Sequence, residues 1–289
     1  MHGKPVAASS GTGLSPATGP LYRSRRDLSR KHMRSFWQRR RLRRHAFTDA
    51  DWETVCARLP LVARLDQPAR QRLREIATLF LADKIVAPAA GFELDQMQRI
   101  EIAIGAALPV LELGLGAYRS FHGVIVYPDA FLAPREELDE AGVMHIGHEE
   151  VAGESWEAGP ILLSWADVEA SRDIEHGYHV VIHECAHKLD LGDGEMNGVP
   201  DLSGCGISAA EWQTVMTDAW EAMHGEEEAY GEAPLDEYAL HSPAEFFAVL
   251  SEHFFTIPEH LEAILPAAFA LLRRFYRSEA VATAHRTLT

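Results

Sequence analysis

The stretch GYHVVIHECAHKLD, residues 177–190, decides how the rest of the chain is interpreted. It contains the HExxH pattern, from His183 to His187, within a run whose apolar residues predict a buried helix. On a helix, side chains four residues apart are neighbours on one face, with Cβ atoms about 5–6 Å apart. Two imidazoles placed in this way can bind one metal ion, and Glu184 beside them can take a proton from a water bound to that ion. The sequence therefore predicts a metal-dependent hydrolytic site on this helix.

Four acidic residues are candidates for a third metal ligand. Asp193 lies six residues after His187, where metzincin sequences carry their third ligand, whereas Asp190 lies one helical turn from His187 and would orient that ring instead. Glu245 and Glu252 lie further along, in SPAEFFAVLSEHFF, residues 242–255. Glu245, in the first turn of this second helix, would complete a gluzincin set of two histidines and one glutamate, and Glu252, two turns later, is the fallback. The residues alone leave these alternatives open.

The patterns around these motifs predict an α+β fold with a small β-sheet and a helical N-terminal layer. We expect helices that begin near Asp49 and Pro68, strands bounded by Gly and Pro, and a return to helices. The predicted ranges are 95–108, 174–190, 208–224, 242–255 and 259–276 for helices and 123–127, 143–148 and 161–165 for strands. One domain is expected over 46–289, with a helical part at about 46–118 and a catalytic part at about 119–289.

The composition excludes several classes of protein. The chain has 289 residues, of which 47% are hydrophobic and 24% charged, and this excludes a wholly disordered chain. No apolar run approaches the roughly 18–20 residues of a membrane helix, so no membrane contact is expected. The three cysteines, Cys56, Cys185 and Cys205, are too few and too far apart for a disulfide framework, and no secretory signal is visible. We therefore expect a cytoplasmic protein.

The net charge of −16 conceals a basic start. Residues 1–45 carry twelve Lys or Arg and one acid, Asp27, and the first twenty are rich in Gly, Ser, Pro and Thr. This composition predicts a disordered, basic leader. Two interpretations stay open: an arm that contacts nucleic acid or acidic lipid, or a solvated segment whose charges favour solubility. The second is favoured, because no nucleic-acid-binding motif accompanies the arginines.

The two motifs together carry a family resemblance. HECAHKLD, residues 183–190, combined with SPAEFFAVLSE, residues 242–252, resembles the Mlc titration factor A family of bacterial zinc metallopeptidases, and the similarity extends from about Phe47 to Tyr276. The resemblance implies a zincin-like fold with an active-site helix, one zinc ion per chain, and the ligands His183, His187 and Glu245. It also implies that Glu184 is the catalytic glutamate.

The resemblance adds a tyrosine and a biological role. Tyr238, seven residues before Glu245, corresponds to an active-site tyrosine whose hydroxyl would stabilise the negative charge that develops on a peptide carbonyl. The implied substrate is a peptide or protein, cut in the manner of an aminopeptidase. One alternative is a regulatory protein that chiefly binds a transcriptional repressor of sugar-uptake genes, with secondary peptidase activity. Another is a metzincin-like peptidase in which Asp193 is the third ligand.

Overall fold

The computed structural model describes residue 42 and residues 47–89, 91–129, 131–138, 144–151, 153–155, 159–230 and 235–278. The chain divides into two units, residues 1–40 and residues 41–289. The first unit, which holds most of the predicted leader, lies outside the described residues, so the disorder of the leader and its proposed contacts stay predictions. All the helices and strands described below belong to the second unit.

Four helices precede most of the sheet, and polar caps explain where three of them begin. They are α1 (Asp49–Cys56), α2 (Pro60–Ala63), α3 (Gln67–Asp83) and α4 (Gln96–Ala107). Thr48 caps α1, and the Asp66 carboxylate caps α3 by accepting the Ala69 N–H at 2.8 Å. Asp95 and Gln98 form a reciprocal capping box at the start of α4. The predicted helical N-terminal layer is therefore present, with α4 buried along most of its length.

The strands form a four-stranded sheet and a separate two-stranded ribbon. The strands are β1 (Ile85–Pro88), β2 (Gly123–Tyr127), β3 (Phe131–Leu138), β4 (Met144–Val151), β5 (Gly153–Ser155) and β6 (Ile161–Ser164). The order in the sheet is β1-β2-β6-β5, in which β1, β2 and β6 are parallel and β5 is antiparallel to β6. Strands β3 and β4 form the antiparallel ribbon. The predicted strands correspond to β2, β4 and β6, whereas β1, β3 and β5 were not predicted.

The second half of the chain is helical, which confirms the α+β prediction. Its helices are α5 (Trp165–Ala170), α6 (Val180–Asp190), α7 (Ala209–Tyr230), α8 (Pro243–Thr256), α9 (Pro258–Ile264) and α10 (Pro266–Tyr276). A single helix over 259–276 was wrong, because Pro266 lacks an N–H and starts a new helix. None of the helices among the described residues combines the length and the apolar character that crossing a bilayer requires.

Helix α6 occupies the centre of this unit. It packs against α8 on one side and against α4, β5 and β6 on others. Its residues are buried almost throughout. Aromatic side chains of α7, α8 and α10 fill the core behind α8, where the Trp212 and Phe247 rings meet at 5.7 Å and the Trp212 and Phe275 rings at 5.5 Å. The HExxH helix is thus held on several sides by tertiary packing.

Candidate metal centre

The start of α6 fixes where its histidines point. Gly177 adopts a positive φ of 85°, and the chain enters the helix with His179 as the capping residue. The His179 Nδ1 accepts the Ile182 N–H at 3.4 Å, an unusual cap in place of Ser, Thr, Asp or Asn. His183 and His187 then lie one turn apart, with ring centroids 4.8 Å from each other. The two histidines therefore lie on one face of the helix, as their spacing in the sequence predicted.

Helix α8 brings a carboxylate to these two rings. Ser242 caps the helix by accepting the Glu245 N–H at 3.2 Å, and Pro243 occupies the first turn. The Glu245 Oε2 lies 3.1 Å from the His183 Nε2 and 3.3 Å from the His187 Nε2. The two Nε2 atoms lie 3.2 Å apart. Three ligand atoms from two helices thus form a nearly equilateral triangle.

The dimensions and chemistry of this triangle fit a zinc ion. Around a tetrahedral ion with bonds of about 2.0–2.1 Å, neighbouring ligand atoms lie about 3.3 Å apart. The three observed distances, 3.1, 3.2 and 3.3 Å, meet that requirement. Two imidazole nitrogens and one carboxylate oxygen are also a donor set that zinc prefers in catalytic sites, because the fourth position is left for water or substrate. His183, His187 and Glu245 can therefore hold a metal ion together.

Charge interactions within the protein match this interpretation. Burial alone would raise the pKa of Glu245, but its contacts with His183 and His187 outweigh burial and hold that pKa well below its usual range. Burial lowers the pKa of His187. Burial also acts to lower the pKa of His183, but the nearby Glu252 and Glu245 carboxylates outweigh it and raise that pKa. The pocket therefore favours positive charge beside Glu245.

Glu184 has the surroundings of a proton acceptor. Its side chain is buried, and its Oε2 has no hydrogen-bond partner among the described residues. Burial raises the pKa of Glu184 to about 8, with the Glu245 and Glu252 carboxylates adding to that effect and His183 and Lys188 opposing it. A carboxylate whose pKa lies near neutral pH can both take and return a proton. The buried oxygen of Glu184 that has no partner among the described residues is thus available for general acid–base work.

Glu252, the fallback ligand, lies on the other side of the His183 ring. Its Oε1 is 2.8 Å from the His183 Nδ1, whereas the triangle of ligand atoms meets that ring at Nε2. The second oxygen of Glu252 accepts the backbone N–H of His179. Glu252 therefore contacts the histidine without joining the group of ligand atoms.

The remaining predicted residues fall in different places. The Tyr238 ring is 38% exposed and its centroid lies 6.1 Å from that of His183, so the tyrosine lies at the rim of the site. The Asp190 Oδ2 accepts the Gly198 N–H at 2.8 Å, which ties the end of α6 to the loop that follows it. Asp193 ends a short 3-10 helix, Leu191–Asp193, and its side chain is not among those described, so the metzincin alternative stays a hypothesis.

A buried lysine near the site was not predicted. Lys188 is fully buried, lies four residues after Glu184 on α6, and donates from Nζ to the Gly159 carbonyl at 3.1 Å. Burial lowers the pKa of Lys188 to about 8, although Glu184 opposes this. Its i,i+4 spacing from Glu184 was available in the sequence as a sign of the interaction. The contact with Gly159, twenty-nine residues away, was not.

The chain is similar to a described family and to several named proteins. The sequence model of the family described as "Glucose-regulated metallo-peptidase M90" matches residues 34–277. A protein of Pectobacterium atrosepticum named Mlc titration factor A is 40% identical over 234 residues, which cover 80% of this chain and 87% of the relative. Proteins of the same name from Yersinia pestis and Yersinia pseudotuberculosis are 39% identical over 240 residues, which cover 82% of this chain and 87% of each relative.

Proposed function

The chain belongs to the glucose-regulated metallo-peptidase M90 family, and from this membership we propose that it is a zinc-dependent peptidase with a zincin-like active site of the gluzincin type. The observation that carries the proposal is the triangle of ligand atoms, with sides of 3.1–3.3 Å, beside a buried glutamate. The proposed ligands of one zinc ion are His183, His187 and Glu245. The proposed catalytic residues are Glu184 and Tyr238.

The reaction requires a water nucleophile and an electrophilic carbonyl. A zinc ion at this site would lower the pKa of its bound water to about 7 and polarise the carbonyl of the scissile bond. Glu184 takes the proton from the water and later delivers it to the leaving amine. Its buried position next to the first of the two histidines supports this role, because the carboxylate is within reach of the open side of the ligand triangle and is shielded from bulk water.

Tyr238 supplies a hydrogen-bond donor at the open side of the site. Its 38% exposure and its distance of 6.1 Å between ring centroids from His183 support a position beside an incoming peptide. The phenol O–H donates to the carbonyl oxygen as negative charge develops there, which is the moment at which a donor lowers the barrier most.

We further propose that the enzyme acts near the free N-terminus of peptides, as an aminopeptidase, in the cytoplasm. The first part rests on the family resemblance of the two motifs. The second is supported by three free cysteines, since Cys56, Cys185 and Cys205 have no disulfide partners and a reducing compartment suits them. Fractionation of the producing cell, with an antibody against the chain, tests the location.

The test of the proposed function is cleavage of a peptide library by wild-type chain and by Glu184→Gln, both loaded with zinc and read by mass spectrometry. We expect the wild type to cut and the variant to lose about 10²- to 10⁴-fold in rate at unchanged zinc content. A parallel library with acetylated N-termini distinguishes aminopeptidase from endopeptidase action, because only an endopeptidase cuts it. No cleavage by a zinc-loaded wild type, or equal cleavage by both chains, would contradict the peptidase proposal.

The name of the relatives favours a second candidate function. Several relatives are named Mlc titration factor A, a name that refers to the titration of Mlc. We propose as the alternative that this chain chiefly binds an Mlc-like repressor of sugar-uptake genes and that peptide hydrolysis is secondary. A pull-down with wild type and Glu184→Gln discriminates, because the alternative predicts undiminished binding and regulation without the catalytic glutamate.

A further inference from the structure

The buried carboxylate of Glu252 has a defined pair of partners. Its Oε1 lies 2.8 Å from the His183 Nδ1, and its Oε2 accepts the backbone N–H of His179, the residue that caps α6. Glu252 is 4% exposed. A buried carboxylate is unfavourable unless hydrogen-bond donors compensate for the loss of water, and here each oxygen has one.

These contacts determine which nitrogen of His183 carries a proton. An ionised carboxylate can only accept hydrogen bonds, so the Nδ1 facing Glu252 must be the N–H donor. In a neutral imidazole the other nitrogen, Nε2, then presents its lone pair. That lone pair points to the place where the Glu245 Oε2 and the His187 Nε2 lie, at 3.1 and 3.2 Å.

The partner of His183 has no counterpart at His187. The His187 Nδ1 is buried and makes no hydrogen bond with any of the described residues. Of the two rings, Glu252 therefore holds only that of His183. The same helix, α8, also carries Glu245, so one rigid element approaches both nitrogens of the His183 ring.

We propose that Glu252 is a positioning residue, which fixes the tautomer and the angle of the His183 ring and thereby strengthens metal binding by His183, His187 and Glu245. This inference rests on the proposed function, since it assumes a metal ion at those three ligands. Carboxylates that accept the second N–H of a metal-binding histidine typically raise metal affinity about 10- to 100-fold. Glu252 differs from Glu245 in its role, although both lie on one face of α8.

The experiment measures zinc affinity of the full chain by competition with a chromophoric chelator. The variant Glu252→Gln keeps the size of the side chain but replaces one acceptor oxygen by an amide donor, which cannot face an N–H. We expect its zinc dissociation constant to rise about 10- to 100-fold. A matched control is Ser251→Ala, at the neighbouring position on α8 but outside the site. It removes a buried hydroxyl that accepts a hydrogen bond from the Tyr276 O–H at 2.7 Å. The control should lose stability and keep its zinc affinity.

A second readout separates positioning from simple destabilisation. Imidazole ¹⁵N and ¹H shifts of both zinc-loaded chains should show the His183 Nδ1–H in a strong hydrogen bond in wild type and in a weaker one in Glu252→Gln, while the far-ultraviolet circular dichroism of the variant stays native. Unchanged zinc affinity in folded Glu252→Gln, or the same Nδ1–H shifts in both zinc-loaded chains, overturns the inference. A wild type that binds no zinc at all contradicts the proposed function instead, so the two failures are distinct.

Discussion

Glu245 and Glu252 lie two turns apart on α8 and contact the same imidazole, Glu245 at the Nε2 of His183 and Glu252 at its Nδ1. Glu245 lies in the first turn, with a side chain that is 19% exposed, whereas the Glu252 side chain is 5% exposed. Glu252 faces two N–H donors. Glu245 faces two nitrogens that converge with it on one point. The groups opposite a carboxylate, and not its helix or its residue type, therefore separate a proposed metal ligand from a proposed positioning residue.

The largest effect is expected when the ligand side of this pair is removed. Glu245→Ala deletes one of three proposed zinc ligands. Its zinc affinity should therefore fall more than about 100-fold, which is the largest loss expected when a carboxylate that only positions a histidine is removed. Chelator competition and metal analysis of the purified chain measure it. Asp193→Ala is the control and should keep its zinc. Zinc retained by Glu245→Ala but lost by Asp193→Ala would instead establish the metzincin alternative.

A change at the rim should leave both glutamates and the metal as they are. Tyr238→Phe removes a single hydroxyl from a half-exposed ring, so neither stability nor zinc content should change. We expect kcat to fall about 100-fold or more, as for the loss of one donor to a developing oxyanion. Steady-state kinetics on a peptide identified in the library provide the measurement. An unchanged kcat would remove Tyr238 from the proposed mechanism.

His179, whose backbone N–H donates to Glu252, should make the free energy of unfolding depend on pH. Burial lowers the pKa of His179 to about 4, below the ordinary value of 6.5, so protonation favours the unfolded chain. Its contribution to stability is complete above pH 6.5 and is lost as the pH falls towards 4. Between pH 6.5 and 5, the free energy of unfolding should fall by about 2 kcal/mol more in wild type than in His179→Asn, which can still cap the helix. Urea titrations with chelator present measure both chains, and parallel pH profiles would contradict the prediction.

The smallest effect is expected at the cap of α8. Ser242→Ala removes the acceptor for the Glu245 N–H and should cost about 1 kcal/mol of unfolding free energy. Because capping acts on the first turn, amide hydrogen exchange should accelerate around Glu245 and stay unchanged around Glu252. Mass-spectrometric exchange, peptide by peptide, resolves the two ends. Equal acceleration at both ends would mean that α8 frays as a unit, and the distinction between its two ends would then be lost.

Local chemistry made a large part of the structure predictable. The HExxH spacing predicted two histidines on one face of a helix, and the caps at Asp95 and Ser242 marked helix starts within one or two residues. The α+β class and the family resemblance were also correct. The shared histidine face and the helix starts depend on neighbours within about four residues, where turn and helix geometry dominate.

Non-local contacts explain what the sequence did not reveal. Strand β1 is four residues long, and it was missed because a short apolar run ending in Pro88 has no helical or strand period of its own. Glu245 and Glu252 are seven residues apart and therefore occupy the same helix face, so spacing could not assign them different roles. Only the packing of α8 against α6 determines which nitrogen of His183 each one meets.

Gly198, in the loop after α6, allows the first turn of α8, which carries Glu245, to pack closely against that loop. Its N–H is held by Asp190, its carbonyl accepts the Trp212 indole N–H at 2.8 Å, and its φ is 79°. A Cβ atom at this position would overlap the Pro243 carbonyl in the first turn of α8. Any side chain at position 198 would therefore push the first turn of α8 away from the end of α6, and Glu245 would be drawn away from the two histidines with it.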